Sequence, residues 1–385
     1  MRSSVMPLAA APSRIDRYIL RQLLLALVSV TGGLVALIWL TQSLKLVELV
    51  VNRGLSFRVF LELSSLLIPS FIAVIVPITT FVVVLFIYQR LAGDRELTVM
   101  RAAGLSPLTL ARPALVLAGI SVTACFVLNI WIVPSTLASF RQYQFEIRNK
   151  VAAFLLQEGV FTPVSDDLTV YVRARDRDGL LRGILVDDAR QPNSHATILA
   201  ERGRLIATSA TPKVLLQNGS RQEIDRQTGR LNILTFSENV VDLAQSGKND
   251  EQRFRDATEM SLSELLHPPP GLVSDRDLPK LLVEAHKRLS SPFTAASFAL
   301  VALVSVLMGT FRRHGGLLRP MVAVLTVVAL LAIGLAFANL ATRAPVLIPL
   351  IWLHAILPGL VAGWVLIGPQ LGLMPENLQL RLGAV

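Results

Sequence analysis

Apolar residues dominate six segments of the chain, at about 20–44, 66–88, 108–133, 292–310, 319–341 and 346–368. Each is long enough to cross a hydrocarbon core of about 30 Å as a helix. Between the third and fourth segments the pattern changes to short alternating runs: LTVYVRA (168–174), GILVDD (183–188), ATILAE (196–201), RLIATSA (204–210), KVLLQN (213–218) and RLNILTF (230–236). The turn signals RDRDG, RQPNS, TP, NGS and QTG separate them. Short strands at this spacing predict a β-sandwich or jelly-roll type domain of about 100 residues. A polar stretch at 246–256 and the triplet Pro268–Pro270 read as a linker, and DRDLPKLLVEAHKRLSSPF (275–293) reads as a helix entering the fourth span.

The expected plan is a polytopic α-helical membrane protein of six transmembrane helices with one inserted β-domain. Residues 1–140 hold spans one to three and 141–250 the β-domain. Residues 251–291 are the linker and its helix, and 292–385 hold spans four to six and a tail. Because three is odd, the second triplet enters from the opposite side, as inverted repeats do, although no residues match between the halves.

One short stretch breaks the span pattern. GDRELTVMRAAGLS (93–106) lies between spans two and three and carries its own helix signals. Asp94 is placed to act as N-cap, Glu96 puts negative charge in the first turn, and Arg101 puts positive charge in the last. Gly104 offers a left-handed stop, with Leu105 folding back onto Met100. About ten residues make a rod of roughly 15 Å, half of what a bilayer needs. Leu97, Met100 and Gly104 follow helical spacing on one side. The stretch is therefore a helix that cannot span, either lying on the bilayer surface or acting as a peg for a partner.

Composition agrees with a membrane chain. Hydrophobic residues make up 52% of the 385, with mean hydropathy +0.56. Lys and Arg near the span ends number twelve on one side (2, 14, 17, 21, 90, 95, 101, 112, 312, 313, 319, 381) and four on the other (45, 53, 58, 343). The positive-inside rule makes the first side cytoplasmic, with both termini and the peg there and the β-domain opposite. The net charge of +10 is largely this loop bias, and no basic run of five exists, so nucleic acid is excluded as a partner. The single Cys125 lies within span three and supports neither a disulfide framework nor a thiolate metal site.

The search for catalytic chemistry is negative. There is no G-x-x-x-x-G-K-[ST], H-E-x-x-H, G-x-S-x-G or C-x-x-C, and no two of the five histidines form a ligand pair. No cofactor, metal site or catalytic residue is assigned. Spans two to five carry no Asp, Glu, Lys or Arg in their interiors, which argues against ion-coupled transport. His354 in span six reads as a hydrogen-bonded bundle residue. Gly359 and Gly363 form G-x-x-x-G, read as close packing within the chain. Lys45, at the outer end of span one near Glu48, either snorkels or faces a cavity that attracts an anionic head group.

A chain with no nucleotide site, few intramembrane charges and a short peg resembles the membrane half of an ATP-driven machine. The residues are similar to a known family, the lipopolysaccharide export permeases LptF and LptG (the YjgP/YjgQ family). The likeness covers nearly the whole chain. It rests on DRYILRQLL (16–24), DRELTVMRAAGLS (94–106), the single large insertion, and E-x-H-x-R-x-x-x-P (Glu284, His286, Arg288, Pro292). The stretch GILVDDARQPNSHATILAERGRL (183–205) looks closer to the LptF branch.

The resemblance implies a transport subunit of the bacterial inner membrane whose large domain is a periplasmic jelly roll. It implies pairing with an LptG-like paralogue, a cytoplasmic LptB-like ATPase dimer, and an LptC-like single-span protein. Such a complex extracts lipopolysaccharide from the membrane and passes it to a periplasmic bridge. The peg becomes a coupling helix at 94–104, with Asp94, Arg95, Glu96, Leu97, Met100, Arg101 and Gly104 as coupling residues and Glu96 pairing with a basic residue of the ATPase. Lys45 falls near the lipid phosphates, while at Glu48 the family can carry a basic residue. Ile198, Leu215 and Ile233 are expected inside an apolar slot for acyl chains. Two other readings stay open: a permease of another lipid or lipoprotein exporter, and a non-transporting assembly scaffold.

Overall fold

A computed structural model describes residues 13–53, 57–154, 158–165, 167–176, 179–190, 194–207, 212–225, 230–242, 255–268, 277–308 and 318–368. The chain divides into two compact units, one formed by the residues up to Ser139 together with those from Arg255, the other by Phe140–Phe254.

In the first unit, α1 (Arg14–Arg53), α2 (Phe57–Ser65), α3 (Ile68–Gly93), α4 (Glu96–Ala102) and α5 (Pro107–Val127) precede a π-helix at Leu128–Ile132 and the start of α6 (Val133–Phe154), most of which belongs to the second unit. After the insertion come α7 (Leu262–Leu266), α8 (Leu278–Leu307), α9 (Leu318–Arg343) and α10 (Ile348–Ile367). Six stretches are long and apolar enough to cross a membrane: Arg14–Leu44, Phe57–Gly93, Pro107–Gln144, Leu278–Leu307, Leu318–Arg343 and Pro345–Ile367. The six expected spans are present, and several continue beyond their apolar runs because their polar ends remain helical.

α8 is the central element, packed on α3, α5 and α10. Ala111, Ala114 and Ala118 of α5 and Ala299 and Ala302 of α8 are buried in one core with Tyr88, Leu117 and Phe298. Small residues at helical spacing let backbones approach closely, which matters where lipid is as apolar as the side chains. Hydroxyls add specificity: Thr80 Oγ1 donates to Ser121 Oγ at 2.9 Å, and Ser297 Oγ donates to the Ala355 carbonyl at 2.5 Å. Gly359 packs against that serine, and a Cβ there would stand 2.6 Å from Ser297 Oγ. Among the described residues a Cβ on Gly363 would meet nothing within 4 Å, so of the G-x-x-x-G pair the first glycine is the one packed there. His354 bonds through Nε2 to the Leu330 carbonyl at 2.7 Å, consistent with a bundle residue.

The segment read as a linker carries a short helix, α7. Ser261 and Glu264 close a capping box on α7. Leu265 and Met260 are buried against Leu281 and Ala285 of α8. Arg288, 5% exposed, fixes this arrangement by donating from Nη1 to the Met260 carbonyl (2.7 Å), from Nη2 to the Ala257 carbonyl (2.8 Å) and from Nε to Glu284 (3.2 Å). Two motif residues, Glu284 and Arg288, are thus a staple between α8 and the preceding chain. A third, His286, accepts from Trp352 Nε1 at 3.2 Å.

The second unit holds six strands, β1 (Phe161–Ser165), β2 (Leu168–Arg175), β3 (Leu180–Asp188), β4 (Ser194–Ala207), β5 (Pro212–Asp225) and β6 (Leu231–Asp242). Their order in the one sheet among the described residues is β1-β2-β3-β4-β5-β6, all antiparallel. The inserted β-domain is present as expected, and among the described residues its strands follow one another as an antiparallel meander. ATILAE and the first four residues of RLIATSA (204–207) join into one strand, β4, and the NGS turn signal lies inside β5. The reason is visible in the backbone. Gly183 (φ 62) and Asn218 (φ 51) take left-handed conformations mid-strand, so the chain kinks without turning back. Leu181 and Ile184 of β3 are consequently both buried although three apart, as are Ala200 and Gly203 of β4. One face keeps a continuous core of Val170, Val172, Ile184, Val186, Ile198, Val214 and Leu216.

Candidate functional site

α3 ends at Gly93, and Asp94 is its C-cap, with its backbone N–H donating to the Arg90 carbonyl at 2.9 Å. Asp94 does not cap α4. It forms an exposed i,i+4 pair with Arg90 at 3.6 Å, and the N-cap of α4 is Arg95, with no side-chain cap bond. Arg95 adopts φ 63, the left-handed value that turns the chain by one residue and starts α4 at Glu96. The expected helix of 94–104 is therefore seven residues, Glu96–Ala102.

Its far end matches the sequence reading. Gly104 has φ +90; its N–H donates to the Arg101 carbonyl at 2.9 Å, and the Leu105 N–H donates to the Met100 carbonyl at 3.2 Å. Those are the two bonds of a Schellman stop. Ser106 then caps α5 by accepting from the Thr109 N–H at 3.2 Å.

The inner side of α4 is fastened to three helices. Leu97, 1% exposed, shares a core with Tyr88 and Leu91 of α3, Leu110 of α5 and Leu307 of α8, and Met100 and Leu105 pack on it. Tyr88 Oη donates to the Leu110 carbonyl at 2.6 Å, tying α3 to α5 beside the helix. Arg101 is half-buried, and its Nη2 donates to the Leu307 carbonyl at the end of α8. Burial pushes the Arg101 guanidinium below its ordinary range. Arg101, expected among the coupling residues, reaches inward to the end of α8. A last-turn cation reads from sequence as a dipole partner of its own helix, whereas it serves the carbonyls of another one.

The outer side carries Arg95, Thr98, Val99, Ala102 and Ala103, all exposed, with Val99 at 67%. Glu96 is half-exposed at the flank of this surface. The arrangement is a rigid, mostly small and apolar knuckle with one acid beside it, and its inner contacts reach α3, α5 and α8 together.

The other expected site residues are not gathered in one place. Lys45 lies on α1, but its side chain, like that of Glu48, is outside the described residues. Ile198 is buried in the core face of the sheet. Leu215 sits between buried Val214 and Leu216 and so points to the opposite face. Ile233 is 63% exposed and pairs with Gln222. The row that includes Ile198 crosses Arg221 and reaches Leu234 instead. A single slot lined by Ile198, Leu215 and Ile233 therefore does not exist in this sheet, because the kink at Asn218 and the strand register decide the faces.

Two comparisons bear on this arrangement. Residues 17–368 match the family model described as lipopolysaccharide export system permease LptF/LptG. The chain is also similar to the uncharacterized protein RP871 of Rickettsia prowazekii (strain Madrid E), at 27% identity over 330 residues, covering 85% of this chain and 91% of that protein.

Proposed function

We propose, because this chain belongs to the LptF/LptG family of lipopolysaccharide export permeases, that it is the membrane subunit through which a separate ATPase drives lipopolysaccharide out of the inner membrane. As a family member with six apolar helices it is a multi-pass inner-membrane protein and a transport component.

α4 carries the reading. A seven-residue helix between two spans, with Leu97 buried and Val99 exposed, is built to receive a push. The ATPase dimer, LptB-like, docks on the knuckle of Thr98, Val99, Ala102 and Ala103, and Glu96 meets a basic residue at its edge. ATP-driven closure moves α3 and α8 together through Leu97 and Arg101. Only 6% of the most apolar window of α1 and 11% of that of α9 is buried, against 50% in the α3 and α8 spans. Their exposed apolar faces suit a paralogous LptG-like subunit and the acyl chains between the two. Lys45, toward the end of α1, takes the head-group phosphates. The lipid then passes by the β-domain to an LptC-like protein and the periplasmic bridge.

The test is copurification from membranes. An ATPase, a six-span paralogue and lipopolysaccharide should accompany the chain. Recovery of the chain with none of them overturns the proposal.

A further inference from the structure

On the sheet face opposite the core, a recess of about 1070 Å³ opens where β2, β3, β4 and β5 kink. Tyr171, Leu185 and Leu199 belong to its lining and alternate with buried neighbours, so they form an apolar floor on that outer face. Three arginines, Arg173, Arg182 and Arg202, stand around the floor.

Their placement is unfavourable without a counter-charge. The register sets Arg182 directly opposite Arg202, and like charges facing each other across a ladder repel. Arg182 is held by Asp176, at 2.7 Å. Arg173 and Arg202 have no hydrogen bond or ion pair among the described residues, and Glu201 is the acid at the rim. Arg173 is also positioned rather than loose. It lies across Gly183, where a Cβ would come within 3.0 Å of its Nε, so the left-handed glycine both kinks the strand and clears the path of the guanidinium.

Planar guanidinium donors suit phosphate oxygens, and an apolar floor beside them suits an amphiphile. We propose that this recess binds the phosphate group of an amphiphile, with Arg173 and Arg202 donating to the anionic oxygens and Tyr171, Leu185 and Leu199 taking the adjoining apolar part. Either a lipopolysaccharide head group or an anionic phospholipid carries this chemistry. The first source rests on the permease reading, and the second does not.

The experiment uses the full-length chain in a non-ionic detergent, with a photoreactive benzoylphenylalanine replacing Leu199. It is irradiated separately with diphosphoryl lipid A, with the same lipid stripped of its phosphates, and with phosphatidylglycerol in mixed micelles. The phosphorylated lipid should give an adduct, falling about tenfold or more when its phosphates are removed, the scale of losing one charge-assisted contact. Arg173→Gln combined with Arg202→Gln should cause a similar loss at an unchanged melting temperature, because neither side chain holds the fold together. Adducts with lipid A alone assign the lipopolysaccharide source. Equal adducts with phosphatidylglycerol keep the phosphate site and assign the phospholipid source, leaving the export reading to the copurification experiment. Equal labelling by the stripped lipid, no loss in the double variant, or a loss accompanied by a lower melting temperature overturns the site.

Discussion

The guanidinium of Arg101 donates to the backbone carbonyl of Leu307, joining the last turn of α4 to the last turn of α8. The final carbonyls of a helix have no partner in their own helix. A cation supplied from a neighbour satisfies one of them and favours the dipole of α8. α4 is thereby coupled to the central helix of the bundle.

Arg101→Met keeps the stem and removes the donor. A hydrogen bond from a charged group is worth about 1.5–3 kcal/mol, at the low end here because the side chain is only half-buried. The complex should remain assembled with a modestly lower melting temperature, while lipid-stimulated ATP turnover falls. Wild-type turnover in this variant would show that the α4–α8 tie does not transmit force.

At Glu96 the outcome depends on a partner. A surface ion pair contributes roughly 0–1 kcal/mol within one chain. Loss of one member of a desolvated interfacial pair costs about 2–5 kcal/mol. Glu96→Lys should release the ATPase from the detergent-purified complex without altering the melting of the membrane chain, and a charge-reversed ATPase should restore part of the binding. Full retention of the ATPase would reduce Glu96 to a solvated residue.

Two left-handed residues flank α4, and they should respond oppositely. Gly104→Val places a β-branched side chain at φ +90 and should lower stability by about 1–2 kcal/mol while weakening ATPase retention. Arg95→Gly relaxes a non-glycine residue at φ 63 and should not lower stability. Thermal melts of the two variants decide this, and equal losses in both would contradict the backbone account.

The staple before α8 should be acid-sensitive. The Ser261 backbone N–H donates to Glu264 at 2.8 Å, and this bond, with Arg255 beside it, holds the Glu264 carboxyl below its ordinary range. A depressed folded value means the stabilisation is complete above the unfolded pKa, about 4.3, and is lost as pH falls through the folded one. Hydrogen exchange over 257–266, expressed relative to the intrinsic rate at each pH, should therefore stay slow near neutrality and accelerate below about pH 4.3. Arg288→Met should accelerate it at every pH, since the Met260 and Ala257 carbonyls lose their donor.

Packing at Gly359 gives a control within the bilayer region. Gly359→Leu must displace Ser297, whose Oγ would be 2.6 Å from the new Cβ, and overpacking of this kind costs about 1–3 kcal/mol. At Gly363 an added Cβ meets nothing within 4 Å among the described residues, so Gly363→Leu should be tolerated better than Gly359→Leu in the isolated chain. A paralogue or lipid bound at that face would show itself as a defect of Gly363→Leu confined to the assembled complex.

What the amino-acid sequence determined by itself is local. Span length, the left-handed stop at Gly104 with its bonds to Arg101 and Met100, and the alternating strands all depend on residues within a few positions of each other. The family likeness added the role proposed for the short helix. What only the tertiary structure decided is the choice of partner. Arg101 has the same neighbours in sequence whether it faces water or Leu307. Arg288 shows nothing of its bonds to Met260 and Ala257, 28 and 31 residues away. Asn218-Gly219 is a turn signal wherever strands can part, yet here β4 and β6 hydrogen-bond to β5 through it. Ladder bonds on both sides outweigh the preference of two residues to reverse direction. The kink at Asn218 puts Leu215 on the face opposite Ile198, and the outer recess beside Arg173 and Arg202 is likewise read from the sheet and not from the chain.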